Sequence, residues 1–471
     1  MSIQSFFDAL FYDRTRHFYP GNPELFRPLF FLVLTVQRLW FKYNFFYWQL
    51  VSLLAHLLTV FALWRLLHRW SDNFSRSLWS IVLFTIFFSF LFVNMEAVIW
   101  HHITPYVLFA GFVLFALERL DVFVVSGGHD TGALGVCSLW LLAGVLTYEV
   151  GLWYILCFFI YSIICLKGSG KASRSWVLLT PFFIYVLWSA GHWLAVHKQF
   201  VHNEGVLFGV SCSGNTLVNF FLILRLFLLG GFFLLPSDVI PDLRLCLGQE
   251  FFSLAWPLNI WLPFRCVGAV VFVSVIILSF VGIWQIKLYV KRKMVFLLLA
   301  MLAGYVLMIV VGRFNVRSYA GISNSVYYFY NFWVLFVLIL FLLFQHYSAV
   351  LNSARLPLLM VLTVSIISFS LCNAFNIYSY TSLMKNESLL PRVYLRALDK
   401  FVSDHKKEKD FSFYFSPDDQ NSINLPLEWG IKGEASGTKH SVTELLYPQY
   451  FTDRNPKYRL DSETWQKTGY F

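Results

Sequence analysis

Long apolar runs separated by short polar or basic stretches occupy the chain from residue 45 to residue 375. Because about 17–25 apolar residues carry a helix across a bilayer, each run predicts a membrane-spanning helix. The pattern predicts ten of them: Phe45–Leu67, Leu78–Val93, Tyr106–Leu120, Leu134–Thr147, Leu152–Leu166, Trp176–Val196, Val267–Ile286, Met294–Val311, Tyr328–Phe344 and Leu356–Phe375. A further apolar stretch, Leu217–Leu235, contains Arg225 and is predicted to lie in the outer interface or to enter the membrane and return.

The composition indicates the same fold class. Of the 471 residues, 58% are hydrophobic and 13% are charged, and the mean hydropathy is +0.63. Soluble globular proteins of this length do not reach such values. An all-α polytopic membrane protein is therefore predicted. The formal charge of +10 does not indicate a nucleic-acid partner, because the lysines and arginines fall mostly in clusters between the apolar runs.

The final section, residues 376–471, differs from the transmembrane part, residues 1–375. It mixes charged residues with β-like runs such as Phe411–Phe415 and with turn residues such as Ser416–Asp419. A small soluble α+β domain is predicted here, on the extracytoplasmic side. It carries no recognisable catalytic pattern, so a lid or docking module is the preferred interpretation.

The basic clusters orient the spans. Positively charged loops face the cytoplasm, which places three clusters there: Arg65/Arg69/Arg76, Lys167/Lys171/Arg174 and Lys287/Lys291/Arg292/Lys293. Residues 1–44 and 197–263 then form outer loops with interfacial helices. Five basic residues of segment 1–44 fall on the outer side, against the usual bias. We expect either that a first span preceding Met1 is missing or that the span count is wrong by one.

Arg27 stands where the apolar part of the chain begins, directly before Pro28. Proline suits the first turn of a helix, where its missing N–H costs nothing. A guanidinium held at a membrane surface by a helix start is suited to bind an anion. The alternative is an interfacial arginine that anchors the chain among lipid headgroups.

Two outer turns carry acidic residues. Glu96 is followed closely by His101 and His102, and such a group can coordinate a divalent cation or perform acid–base chemistry. An ordinary polar loop is the alternative. Glu149 lies in the next outer turn, a tight hairpin, which is predicted to bring it to the same face as Glu96. Glu149 is equally suited to cap a helix or to pair with a basic residue.

Two more groups of polar residues are predicted on the outer side. Arg313 and Arg317 share one helix face and precede the aromatic run Tyr327–Tyr330, so they could hold a phosphate beside a lipid or sugar. An aromatic belt with arginines reaching the interface is the alternative. Asp8 and Asp13 precede Arg27, and each is suited to be a general base or a helix cap.

Two polar side chains fall inside the first predicted span. For His56 and Gln49 the expected role is a hydrogen bond between helices.

Taken in order, four segments resemble the GT-C class of integral-membrane glycosyltransferases, particularly the mannosyltransferase-like group that uses polyprenyl- or dolichyl-phosphate sugars. The segments are Phe26–Leu29 with the helix after it, Tyr47–Leu58, Asn94–Trp100 and Leu146–Glu149, and Arg313–Tyr330 is a looser fifth. The resemblance implies a lipid-phosphate-linked sugar donor and an active site on the extracytoplasmic face. The acceptor would be a glycan, a lipid or a protein.

The resemblance also implies roles for single residues. Arg27 matches an arginine of the first outer loop, Glu96 the acidic residue of the second and Glu149 that of the following hairpin, while Arg313 or Arg317 would bind the donor phosphate. Such enzymes usually begin with a span that delivers an acidic catalytic base, and this chain departs from that pattern. Asp13, or else Asp8, is then expected to act as the base.

The resulting prediction is a multi-pass protein of the bacterial inner (cell) membrane that transfers a sugar on the outer side. No cofactor is assigned, although a divalent cation near Glu96 is left open. A flippase or transporter of lipid intermediates and a catalytically inactive GT-C homologue are the alternatives. A transporter would place polar residues through the middle of several spans, whereas here they gather at the outer ends.

Overall fold

In the computed structural model, the described residues are 27–41, 45–71, 74–91, 94, 98, 103–197, separate positions between 216 and 227, 289–313, 327–350, 400–408, 412–415 and 457–460. The chain divides into two compact units. One contains the described residues up to 350 and the other contains those from 400 onward.

The first unit is helical throughout its described part. Its helices are α1 (Pro28–Phe41), α2 (Phe45–Trp70), α3 (Phe74–Ser89), α4 (Thr104–Val125), α5 (Thr131–Thr147), α6 (Gly151–Leu166), α7 (Thr180–His197), α8 (Tyr289–Arg313) and α9 (Tyr327–Val350), with a 3₁₀ helix over Ala172–Leu179 before α7. Eight of the ten predicted spans therefore coincide with helices. The other two, Val267–Ile286 and Leu356–Phe375, lie outside the described residues.

Three of these helices are long and apolar enough to cross a membrane: Phe46–Trp70 of α2, Arg292–Val311 of α8 and Tyr328–His346 of α9. Shorter apolar helices occur at Leu78–Ser89, Thr131–Thr147 and Gly151–Leu166. The chain is thus an α-helical membrane protein, and the count of ten spans stays a prediction. Helix α4 has 22 residues, but three charged residues, Glu118, Arg119 and Asp121, lie near its end.

Helices α2 and α4 run parallel and in close contact. Near their starts the hydroxyl groups of Ser52 and Thr104 are hydrogen-bonded. Further along, Thr59 Oγ1 donates to the Val107 carbonyl at 3.1 Å, and a Cβ added at Gly111 would lie 3.1 Å from the same Oγ1. The small residue and the hydroxyls let the two backbones approach, as is common between helices in membranes.

Helices α5 and α6 form the tight hairpin that the sequence predicts around Glu149. Only residues 148–150 separate them, and the Gly151 N–H donates to the Tyr148 carbonyl at 2.9 Å. A Cβ at Gly151 would lie 2.8 Å from the Val145 Cα. Since that neighbour is backbone, only glycine fits without a shift of the hairpin.

Helix α8 packs against both α6 and α9, and α8 and α9 supply much of the core. The Trp153 indole N–H donates to the Ala300 carbonyl at 2.9 Å, directly above Gly304. The Tyr305 hydroxyl donates to the Tyr328 carbonyl at 2.6 Å and joins α8 to α9. Trp333 is fully buried, and its indole N–H donates to the Phe227 carbonyl at 3.0 Å. The described part of Leu217–Leu235 therefore packs on this core.

Two of the three predicted basic loops are partly wrong. In the third, the residues that lie in the first turns of α8 are Lys291, Arg292 and Lys293. The first differs in the same way. Helix α2 continues to Trp70, so Arg65 and Arg69 lie in its final turns, and Arg76 lies in the first turns of α3. An apolar helix can end in arginines because the long side chains carry their charged groups away from the apolar surface and into water.

In the second unit, residues 400–405 are helical, and strand β1 (Phe413–Phe415) pairs in parallel with β2 (Tyr458–Leu460). Strand β1 lies within the predicted run Phe411–Phe415. Glu408 accepts hydrogen bonds from Lys457 Nζ at 2.6 Å and from the Tyr458 hydroxyl at 2.9 Å. A wider α+β fold for residues 376–471 stays a prediction.

Candidate functional site

Arg27 directly precedes α1, with Pro28 as the first helical residue, as the sequence predicts. The proline fixes a backbone angle that suits the helix start, so the chain enters α1 at a defined direction. Helix α1 packs against α5, α2 and α4. This packing turns the Arg27 side chain into the bundle, where only 3% of it is exposed.

Inside the bundle Arg27 meets Glu149, which lies 122 positions further along the chain. Arg27 Nε donates to Glu149 Oε2 at 2.5 Å and Nη2 donates to Oε1 at 2.5 Å, so the pair is bidentate. The remaining terminal nitrogen, Nη1, donates to the Tyr106 hydroxyl at 2.7 Å. All three guanidinium nitrogens are therefore engaged by side chains of the protein.

Aromatic rings cover the guanidinium. Its Cζ lies 4.8 Å from the ring centroid of Tyr148, 5.6 Å from that of Tyr106 and 5.8 Å from that of Phe30. Such distances allow cation–π attraction, which strengthens where water is excluded. Tyr185 of α7 also lies close to both charged groups.

The surroundings keep the Arg27 guanidinium ionised. Burial acts to lower the pKa of the Arg27 guanidinium, but Glu149 and the hydroxyls of Tyr106 and Tyr148 raise it by more, so its pKa lies above the ordinary value. Burial also raises the pKa of the Tyr148 hydroxyl. A cationic Arg27 beside a protonated Tyr148 is therefore the state of the site at neutral pH.

The two members of the pair differ in exposure. Arg27 is 3% exposed, whereas 29% of the Glu149 side chain is exposed. A ligand that reaches this position from solvent therefore meets the carboxylate and not the guanidinium. The prediction that Arg27 binds an external anion fits this geometry only if that anion first displaces Glu149.

The structure brings Arg27 and Glu149 together, and their roles in substrate binding stay predictions. Arg313 ends α8, and its side chain lies outside the described residues. The other predicted site residues also lie outside them: Asp8, Asp13, Glu96, His101, His102 and Arg317.

The aromatic run forms the start of α9, and its described side chains are buried, which corrects both interpretations of it. Tyr328, Phe329 and Tyr330 are at most 1% exposed, so they neither form a lipid-facing belt nor line an open sugar site. Tyr330 instead bonds its hydroxyl to His56 Nδ1 at 2.8 Å. The predicted interhelical hydrogen bond of His56 is thereby confirmed, whereas Gln49 is exposed.

Asn94, the first residue of the Asn94–Trp100 segment, helps to end α3. Its Nδ2 donates to the Phe88 carbonyl at 2.5 Å, and its backbone N–H donates to the Leu91 carbonyl at 2.9 Å. These bonds hold Asn94 against the end of α3. The residue at which the Glu96 segment begins is therefore held in place by two hydrogen bonds.

Two members of the site were not foreseen. Tyr148 directly precedes Glu149 in the Leu146–Glu149 segment. This position could have indicated that its side chain lies beside the charged residue. Tyr106 opens a predicted span like many interfacial tyrosines, and no feature of the sequence marks it as the partner of Arg27.

A second group of ion pairs lies at the other end of α4, about 18 Å along the helix from Tyr106. Arg65 Nη2 lies 2.6 Å from Glu118 Oε1, and Arg69 Nε lies 2.5 Å from Asp121 Oδ2. We call this the Arg65 end and the opposite one the Arg27 end. These pairs were not predicted from the sequence, although charges spaced by three or four residues within two apolar helices could have indicated them.

Most described basic side chains gather at the Arg65 end. There Lys171 contacts His129, Arg174 donates to the Gly128 carbonyl at 2.8 Å and Lys293 donates to the Ile164 carbonyl at 3.0 Å. This distribution agrees with the predicted cytoplasmic side, although the orientation itself stays a prediction.

Among the side chains that the structure describes, no three of His, Cys, Asp and Glu gather closely enough to hold a metal ion. The predicted cation group of Glu96, His101 and His102 lies beyond them. No protein-family model, curated protein or solved structure matches the chain.

Proposed function

We propose that this membrane protein is a glycosyltransferase that uses a sugar linked to a polyprenyl phosphate and acts on the extracytoplasmic face. One observation supports the proposal most. Arg27 belongs to the first of the four segments that resemble the GT-C class and Glu149 to the last, and the two side chains form a buried bidentate ion pair. Segments 122 positions apart thus contribute to one site.

The proposed reaction inverts the anomeric carbon. A carboxylate takes the proton of the acceptor hydroxyl. Asp13 is preferred over Asp8 as this base, and Glu96 is a further catalytic candidate. The acceptor oxygen forms a bond to the anomeric carbon as the bond from that carbon to the phosphate oxygen breaks. The lipid phosphate leaves with the bonding electron pair. Arg313 and Arg317 stabilise its charge.

The rival transporter requires polar groups that serve a substrate within the spans. Three polar groups of α2 are instead used between helices: Ser52 bonds Thr104, His56 bonds Tyr330 and Thr59 bonds the backbone of α4. This favours the transferase, in which the chemistry occurs at one end of the bundle.

The test is a transfer assay with purified protein in nanodiscs and a panel of radiolabelled polyprenyl-phosphate sugars. We expect label to move to an added glycan, lipid or protein acceptor. Replacing both Arg313 and Arg317 with alanine should abolish transfer and leave membrane insertion intact, whereas Arg174→Ala, at the Arg65 end, should keep activity. Full activity of the double variant would remove these arginines from the site, and flux of the lipid without transfer would favour the transporter.

A further inference from the structure

Two turns at the Arg65 end lie in contact beside the 3₁₀ helix. They are residues 126–130, before α5, and residues 167–174, which follow α6 and lead into the 3₁₀ helix, and we call them the basic turns. Arg174 Nη1 donates to the Gly128 carbonyl at 2.8 Å, and a Cβ added at Gly128 would lie 3.1 Å from Lys171 Cβ. Gly128 has a φ of +81°, which glycine adopts more readily than other residues. The backbone of one basic turn is therefore fixed against the other.

The basic turns present donors of hydrogen bonds and a positive charge. The Lys171 ammonium donates to His129 Nε2, and His129 is exposed. An ammonium has three N–H donors, so this bond leaves Lys171 able to donate to an anion. The exposed carboxylate of Asp130 caps α5, since its Oδ1 accepts the Ala133 N–H at 2.8 Å. In the two turns, all of which the structure describes, three lysine or arginine residues stand against this one carboxylate.

The 3₁₀ helix leads from these cations to apolar side chains that are also exposed. Trp176 is 61% exposed, and its ring centroid lies 5.1 Å from that of Phe159. At roughly 2.0 Å per residue of a 3₁₀ helix, this tryptophan lies about 10 Å along the chain from the lysine. Phe183 and Leu187 of α7 and Ile164 of α6 are exposed as well. Cations beside an exposed tryptophan and an apolar surface are typical of the region where lipid headgroups meet acyl chains.

We propose that this surface binds an anionic phospholipid, whose phosphate contacts Lys171 and His129 and whose acyl chain lies along Trp176 and α7. Charge complementarity selects the occupant. A zwitterionic phospholipid has the same phosphate but carries a cation of its own, which the basic turns repel, whereas a lipid with net negative charge is attracted. The inference does not depend on the transferase, because these residues lie at the Arg65 end and the proposed chemistry at the other.

The experiment uses the full chain in nanodiscs of phosphatidylcholine that contain a small fraction of brominated lipid, since bromine on an acyl chain quenches nearby tryptophans. The brominated lipid is phosphatidylglycerol in one sample and phosphatidylcholine, at the same fraction, in the other. Because the chain has 17 tryptophans, the Trp176 signal is the difference between wild-type protein and Trp176→Phe. We expect an association constant about fivefold higher for phosphatidylglycerol, the preference that one basic residue confers near an anionic surface.

A second measurement needs no variant, so a folding defect cannot obscure it. Hydrogen exchange of the wild-type segment 167–174 should slow when phosphatidylglycerol replaces part of the phosphatidylcholine, and added salt should reverse the effect because exposed charges are screened. Equal quenching by the two brominated lipids, or exchange that does not respond to phosphatidylglycerol, would overturn the inference.

Two variants with the same change in net charge assign the preference to a place. Lys171→Gln should remove most of the preference for phosphatidylglycerol, because the amide keeps much of the side chain and loses its charge. Lys407→Gln, at an exposed position of the second unit, should retain it. An equal loss in both variants would assign the preference to the net charge of the protein and contradict a site at the basic turns.

Discussion

The ion pairs at the two ends of α4 use the same chemical groups with opposite exposure. At the Arg27 end the cation is 3% exposed and the carboxylate 29%. At the Arg65 end Arg65 and Arg69 are 36% and 33% exposed, while Glu118 and Asp121 are 11% and 10% exposed. The more exposed member of the pair is therefore the carboxylate at the first end and the cation at the second.

This contrast has a structural origin. At the Arg65 end the carboxylates belong to α4, in the middle of the bundle, and the arginines extend from the last turns of α2 toward the exterior. At the Arg27 end the arginine precedes a helix that packs across the bundle, and the carboxylate belongs to a turn between helices.

The largest effect is expected from removing one partner at the Arg27 end. Glu149→Met leaves a buried guanidinium without its counter-charge and should lower the unfolding free energy by about 2–3 kcal/mol. A wholly buried pair that loses one partner costs roughly 3–5 kcal/mol, and the 29% exposure of Glu149 reduces this. Arg27→Met should cost less, because the remaining carboxylate reaches water. Thermal unfolding in detergent, followed by tryptophan fluorescence, ranks the two, and an equal or larger loss for Arg27→Met would contradict the proposed asymmetry.

A slightly smaller loss of unfolding free energy is expected from displacing the hairpin that carries Glu149. A Cβ at Gly151 would lie 2.8 Å from the Val145 Cα, so Gly151→Ala should destabilise the protein by about 2 kcal/mol through overpacking. Gly135 is a matched control on α5, with no heavy atom within 4 Å of an added Cβ. Gly135→Ala should raise stability slightly, because alanine favours helix. The same thermal assay decides, and equal stability of the two variants would show that the hairpin adapts.

The elements of the first unit were largely predictable and their charge partners were not. The apolar runs predicted eight of the helices correctly. An apolar run of this length has to be buried in protein or in lipid, and this holds whichever helices pack beside it. Arg27 was expected to hold an external anion, and pairing with a basic residue was one of the roles expected of Glu149; the structure pairs these two residues with each other. The expected proximity of Glu149 to Glu96 stays a prediction, because Glu96 lies outside the described residues. A single sequence allows many pairings of opposite charges, and helix packing selects among them.

The aromatic run was interpreted wrongly for the same reason, because a single sequence does not show which helices pack together. Tyr328, Phe329 and Tyr330 have the composition of an interfacial belt, yet α9 places them against α8 and α3, where they are at most 1% exposed. Tyrosine is compatible with lipid interfaces and with cores that supply a hydrogen-bond partner. His56, which supplies that partner, was identified as polar within a span, and only the structure joins the two residues.

At the Arg65 end, removing the arginine is expected to lower the unfolding free energy more than removing the carboxylate, which is the reverse of the order at the Arg27 end. Arg65→Met leaves Glu118, 11% exposed, without its cation, whereas Glu118→Met leaves an arginine that already reaches solvent. Because Arg65 is 36% exposed, solvent screening limits the loss to about 1 kcal/mol for Arg65→Met, and Glu118→Met should cost less. Added salt should reduce the difference, since exposed charges are screened most. If removing the carboxylate were the more damaging change at both ends, exposure would not govern these pairs.

The smallest effect is expected in the second unit, where Glu408 bonds Lys457 and Tyr458 in a solvent-exposed setting. Hydrogen bonds from Lys457 and Tyr458 hold the pKa of the Glu408 carboxyl below its ordinary value. A carboxyl with a lowered folded-state pKa stabilises the fold fully above its ordinary pKa, and this contribution is lost as the pH falls through the lowered value. Exchange of the β2 amides in the full chain, corrected for intrinsic rates, should therefore accelerate below that range. Glu408→Gln should remove this acceleration and Lys457→Gln should reduce it. An unchanged pH profile in Glu408→Gln would assign the effect to another group.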